Sequence, residues 1–180
     1  KMGGRPTPFG IPVESVDAPL RRALQSPHLN LLGFHVYSGT QCLDLPALRS
    51  NLGQTIALCM DLAARYDYEP RLLNLGGGFG IPLFEGDEQL PPEPLAAGLA
   101  AELEEALPRF PQLSATRVLF ELGRYIAGPA GVYACQVVEV KECRGKRFVV
   151  LDGGMHHLFS ATGNFGQLIK RNYRIVNVHG

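Results

Sequence analysis

The sequence predicts an α/β fold: parallel strands linked by helices, then an antiparallel β segment. Three observations carry this. Short apolar runs alternate with longer stretches whose apolar residues recur at helical spacing. Three of the apolar runs end in a polar or glycine-rich cluster, at residues 37–41, 76–80 and 121–124. Beyond Pro129 the texture changes to Val-rich runs at 131–141 and 147–151. Arg144, Gly145 and Lys146 lie between them, which reads as a hairpin.

Each element follows from its residues. Residues 1–12 are rich in Gly and Pro and read as a loop, and 13–25 as a short helix with Ser15 or Asp17 near its start. Residues 28–37 read as the first strand, ending at Ser38, Gly39 and Thr40. Leu48, Leu52, Ile56, Cys59 and Ala63 form one stripe of a helix over 45–66, with Asp44 as N-cap and Pro46 in its first turn. Residues 71–75 form the second strand, and 76–80 its loop. A polar connection at 86–92 leads to a helix over 94–107, with Leu95, Leu99, Leu103 and Leu107 on one stripe and Glu102, Glu104 and Glu105 more exposed. Residues 117–121 form the third strand. This order implies parallel pairing with right-handed crossovers. The composition shift at 127–130 sets the expected boundary between a domain at 1–128 and another at 129–180.

Composition narrows the function classes. With 46% hydrophobic and 19% charged residues the chain suits a folded domain. Seventeen basic residues balance seventeen acidic ones, which gives no electrostatic reason to expect nucleic acid or an anionic membrane as partner. No apolar run reaches the length of a membrane span, and none looks like a signal peptide. Cys42, Cys59, Cys135 and Cys143 form no C-x-x-C pair, so zinc and thioredoxin-type readings lack support. Buried free thiols in a reduced, cytoplasmic protein are expected. The first residue is Lys1 rather than Met, so a preceding segment is expected.

The glycine loop is the sharpest local signal. Gly76, Gly77, Gly78 and Gly80 follow the apolar run at 72–75. Glycine permits positive φ and removes side chains, so several backbone N–H groups can converge on one anion. The same glycines would also serve a tight turn with close strand–helix packing. Ligands of parallel α/β sheets sit at the C-terminal ends of strands, and all three clusters fall there. That placement favours an anion site, with a phosphate as the expected occupant. A closed barrel needs about 250 residues, so three strand–helix steps belong either to part of a barrel or to an open sheet. His156 and His157 carry no metal expectation. Adjacent strand residues point opposite ways, and no third ligand is spaced nearby. Asp152, Gly153 and Gly154 read as a turn.

Four segments, taken in order, resemble a known family. They are Gly33-Phe34-His35-Val36-Tyr37-Ser38-Gly39-Thr40-Gln41, the glycine loop, Glu121-Leu122-Gly123-Arg124, and Val150-Leu151-Asp152-Gly153-Gly154-Met155. The set is similar to the pyridoxal-phosphate-dependent decarboxylases of the alanine-racemase-like fold, which include the diaminopimelate, ornithine and arginine decarboxylases. His156-His157, Gly163-Asn164-Phe165-Gly166-Gln167 and Arg171-Asn172-Tyr173 resemble most the exosortase-associated and glutamyl-carrier-protein subgroup. The resemblance implies the last three strand–helix units of a (β/α)8 barrel, followed by the start of a C-terminal β domain. It implies pyridoxal 5'-phosphate as cofactor, an amino-acid substrate that is free or presented on a carrier protein, and a homodimer. The lysine that tethers the family's cofactor is expected upstream of Lys1, and the segments that complete the site across the dimer are expected after Gly180. This stretch alone is therefore expected to be inactive.

The resemblance also assigns roles. Glu121 matches the carboxylate that pairs with the pyridine nitrogen, favouring a protonated ring that accepts electrons from Cα. Arg124 matches an arginine that holds either the cofactor phosphate or the substrate carboxylate. Gly76, Gly77, Gly78 and Gly123 match the cofactor-binding backbone, and Thr40 a serine near the phosphate. Tyr37 is read at the place of a histidine that stacks on the ring; it would keep the aromatic face but not the imidazole's acid–base capacity. His35, two residues earlier on the same strand face, is a supporting or substrate-contacting residue, or a core histidine. Leu122 departs from the family's proline. The expected reaction is amino-acid decarboxylation, a carbon–carbon lyase activity. The alternatives are racemisation or transamination on the same scaffold, a non-catalytic pyridoxal-phosphate-binding or regulatory relative, and an unrelated phosphate-binding module.

Overall fold

A computed structural model describes residues 8–158 and 175–178. A single 3-10 turn at Val13–Ser15 leads into helix α1 (Asp17–Gln25). Strand β1 (Gly33–His35), helix α2 (Leu45–Arg65), strand β2 (Leu72–Asn74), helix α3 (Pro92–Ala106) and strand β3 (Arg117–Leu119) then alternate. The strands pair in parallel in the order β1–β2–β3. Phe34, Leu73 and Val118 share one row across the sheet, and His35, Asn74 and Leu119 the next. Helix α4 (Gly123–Ala127) follows β3, and an antiparallel hairpin of β4 (Val137–Cys143) and β5 (Lys146–Leu151) follows that.

The order expected from periodicity is present, and each helix begins for a legible reason. Asp44 caps α2 by accepting the Ala47 N–H at 3.1 Å, and Pro46 fills the first turn where no N–H is needed. Helix α3 starts at Pro92, two residues before the expected start, behind Pro91 as N-cap. The hairpin loop is Arg144-Gly145, both at positive φ (52° and 75°), a two-residue connection matched to strand twist.

The strands are shorter than their apolar runs. Only Gly33–His35 of the 28–37 run is strand. Before it, Leu32 accepts the N–H groups of both Arg71 and Leu72, at 2.8 and 2.9 Å, which ends the regular ladder. Gly33 packs so tightly on β2 that a Cβ there would lie 1.6 Å from the Leu72 carbonyl oxygen.

One face of the sheet carries the core. Leu52, Ile56, Cys59 and Met60 of α2 pack with Leu73, Leu75, Phe110 and Leu113, and Phe34, Val36, Val118 and Phe120 close around them. Strand alternation turns His35, Asn74 and Leu119 to the opposite face, away from the helices. A second cluster of Leu48, Phe79, Leu90 and Leu95 sits under the glycine loop. The thiol expectation holds only at Cys59. Cys42 is half-buried, and Cys135 and Cys143 are exposed on and beside the hairpin, whose strands bury neither face. The subgroup motifs at 163–167 and 171–173 lie outside the described residues. Among the described residues no helix is long and apolar enough to cross a membrane.

Candidate functional site

Three strand ends meet on the face opposite α2 and α3. The backbone sets their approach: Val36 N–H donates to the Asn74 carbonyl, Leu75 N–H to Leu119, and Glu121 N–H to Gly76, at 3.0, 2.9 and 2.8 Å. Phe120 points into the core and Glu121, its neighbour, points out. The Glu121 carboxylate accepts from Asn74 Nδ2 at 2.9 Å, and His35 Nε2 lies 3.4 Å from the same oxygen. Asn74 Oδ1 in turn accepts the Gly76 N–H at 2.9 Å. That bond fixes the amide orientation, so Nδ2 must donate towards Glu121. Sequence reasoning passed over Asn74. Its signal was there, as the last residue of β2 and two positions before Gly76.

The glycines serve close approach first. A Cβ on Gly76 would lie 2.4 Å from the Val36 carbonyl oxygen, on Gly77 2.2 Å from that of Glu121, and on Gly78 2.6 Å from that of Gly39. Gly76 and Gly78 also sit at φ +71° and +95°, where side chains are disfavoured. The three strand ends can therefore converge only if these positions lack side chains. The Gly76 N–H is engaged by Asn74, while those of Gly77 and Gly78 have no hydrogen-bond partner among the described residues. A Cβ on Gly39 or Gly123 would meet open space.

Arg124 projects from α4. Its Nη1 donates to Gln41 Oε1 at 3.0 Å, and it forms no ion pair among the described residues. Helix α4 is held by Tyr125, whose ring meets Phe79 edge-on at 6.4 Å and whose hydroxyl donates to the Leu90 carbonyl at 2.7 Å. Leu122 packs against the second cluster. Tyr37 is 39% exposed, and its hydroxyl has no partner among the described residues. It is His35, not Tyr37, that reaches Glu121. Thr40 adjoins the loop through its neighbours: Cys42 N–H donates to the Gly78 carbonyl at 2.8 Å. Among the described residues no group of His, Cys, Asp or Glu could hold a metal; the rings of His156 and His157 lie 4.0 Å apart, and His157 meets the Tyr133 hydroxyl at 3.3 Å.

This arrangement has two chemically distinct ends. One offers a carboxylate, fixed as an acceptor, beside an imidazole. The other offers a guanidinium without an ion-pair partner, and the backbone N–H groups of Gly77 and Gly78 without a hydrogen-bond partner, among the described residues. A planar heterocycle with a protonatable nitrogen at one end and a phosphate at the other fits that donor set. Residues 1–128 match the family model for the pyridoxal binding domain of pyridoxal-dependent decarboxylases.

The chain belongs to this family.

The chain is 34% identical over 174 residues to the L-glutamyl-[BtrI acyl-carrier protein] decarboxylase of Niallia circulans, covering 96% of this chain and 40% of that protein. It is 28% identical over 156 residues to the diaminopimelate decarboxylase of Aquifex aeolicus, covering 87% and 35% respectively. The crystal structure of diaminopimelate decarboxylase from M. jannaschi superposes with a TM-score of 0.73 at 22% identity, over 88% of this chain and 36% of that one. The likeness fixes the fold as part of the alanine-racemase-like architecture seen in family members. The chain thus spans well under half the length of these relatives.

Proposed function

We propose that this chain supplies the cofactor-holding portion of a pyridoxal-phosphate-dependent amino-acid decarboxylase. Residues 1–128 would be the last strand–helix units of its barrel, and 129–180 the start of a β domain. The observation that carries the reading is the Asn74–Glu121–His35 cluster at the C-terminal ends of three adjacent parallel strands.

Pyridoxal phosphate, when bound, supplies the electron sink that lets an amino acid lose its carboxylate. The residues of this chain would bind and orient it. Glu121, kept as an acceptor by Asn74, would take the hydrogen bond of a protonated ring nitrogen and so favour the ring's cationic form. His35 would lie at the ring face, the part expected of Tyr37, because it is His35 that touches Glu121. The N–H groups of Gly77 and Gly78, with Thr40 and Arg124, would receive the phosphate. The substrate is an amino acid, and similarity to the carrier-protein enzyme supports one presented on an acyl carrier protein. A cytoplasmic homodimer is part of the same reading.

The test uses the full-length gene product with pyridoxal phosphate and amino acids labelled at the carboxylate or deuterated at Cα, free and carrier-bound. Labelled CO2 is expected. Exchange of the Cα deuterium without CO2 would put racemisation in place of decarboxylation, and neither would leave a binding relative. Glu121→Ala is expected to lower turnover by about 10²–10³-fold, the usual cost of removing one preorganised electrostatic partner.

A further inference from the structure

We infer that Gln41 is a positioning residue that holds Arg124 as an uncompensated anion fork at the phosphate end of the site. The inference rests on the functional reading above and adds to it which residue sets the arginine.

Two independent features single out Gln41. Its backbone lies at φ +57°, a left-handed conformation that residues with side chains seldom adopt. Such a position suits Gly or Asn better, so a glutamine there points to a use for its side chain. That side chain spans three segments. Gln41 Nε2 donates to the Ile81 carbonyl just past the glycine loop, and Gln41 Oε1 accepts from Arg124 Nη1 at 3.0 Å. The carbonyl of Ile81 accepts only, so the amide nitrogen must face it and the amide oxygen must face Arg124. The backbone on either side is pinned as well. Cys42 N–H donates to the Gly78 carbonyl and Gly80 N–H to the Cys42 carbonyl, both at 2.8 Å.

The chemistry of the partner matters as much as its place. Glu121, three residues before Arg124, is occupied by Asn74 and His35. No carboxylate among the described residues pairs with Arg124. A neutral amide directs the guanidinium without cancelling its charge, whereas a carboxylate at the same place would form a bidentate ion pair and compete with any incoming anion. Gln41 thus ties Arg124 to the segment just past the glycine loop and leaves it without a carboxylate partner among the described residues.

The test compares pyridoxal phosphate with pyridoxal, which lacks the phosphate. Calorimetric titration of the full-length gene product gives the ratio of the two affinities. Gln41→Glu is expected to reduce that ratio about tenfold or more, the scale of one charge-assisted contact. Gln41→Ala should reduce it less, and the affinity for pyridoxal should stay unchanged in both. In an Arg124→Gln background, Gln41→Ala should cost nothing further. Gln41→Ala carries the same readout if the Glu variant fails to fold. An unchanged ratio in the Gln41 variants, with the ratio lost in Arg124→Gln, would overturn the inference and leave the functional reading intact. Equal affinity of the unaltered protein for the two compounds would overturn the phosphate end of the functional reading itself, and this inference with it.

Discussion

Asn74 is the hinge of the site at the scale of single residues. It joins the Gly76 N–H to the Glu121 carboxylate through one side chain, with both bonds at 2.9 Å. Replacing it by Leu removes the donor to Glu121 and strands the Gly76 N–H. We expect Asn74→Leu to weaken pyridoxal phosphate binding and to lower stability by about 1–3 kcal/mol, the cost of an orphaned buried donor; titration and chemical denaturation of the variant measure both. The glycines separate by the same reasoning. Gly77→Ala must push the Glu121 backbone away and should lose both stability and cofactor affinity. Gly123→Ala meets open space and should keep the wild-type melting temperature. Melting curves that move equally would contradict the packing account. The sequence displayed Glu121, Arg124 and the glycine loop openly, because strand ends and glycines have local signatures. It did not display Asn74 or Gln41, whose importance lies in side-chain bonds between segments. The sequence offered Tyr37 for the ring face, and it could not show that His35 would meet Glu121. Both share one side of the chain, and only the contact with Glu121 separates them.

Helix α2 shows at the next scale how an element is both read and stabilised. Its stripe, cap and first-turn proline were all legible, and its bounds differ from the expected ones by a single residue. The cap bond to Ala47 predicts that Asp44→Ala costs about 1 kcal/mol, measured by denaturant unfolding. Ile56 is fully buried against β2, so Ile56→Ala should cost about 2–5 kcal/mol in the same assay. Cys59, on the same face, gives a pH signature. Burial pushes its thiol up to about 12 from an ordinary 9.0. Between those values the unfolded chain ionises while the folded one keeps its proton, so stability falls as pH rises through that window. Cys59→Ala should flatten that alkaline loss. The strands were less legible than the helices. A three-residue strand is set by its neighbours' carbonyls, such as Leu32 between β1 and β2, and these leave no mark on local composition.

For the molecule as a whole, one face of the parallel sheet builds the core and the other gathers the polar strand ends. The alternation of strand and helix dictates this division. Phe34, Leu73, Val118 and Phe120 turn to α2 and α3, which leaves His35, Asn74 and Glu121 together on the far side. The β4–β5 hairpin was readable from its Val-rich runs and Arg144-Gly145 turn. Periodicity, however, could not show that both of its faces would lie exposed. The central claim is that the three strand ends form one pyridoxal phosphate site with a ring end at Glu121 and a phosphate end at Arg124. Titration of the full-length gene product with pyridoxal phosphate, followed by absorbance and calorimetry, tests it most directly. The account predicts one cofactor per chain, a change in the bound absorbance band in Glu121→Ala, and at least about tenfold weaker binding in Arg124→Ala. Binding of unchanged affinity and unchanged spectrum in both variants would contradict it.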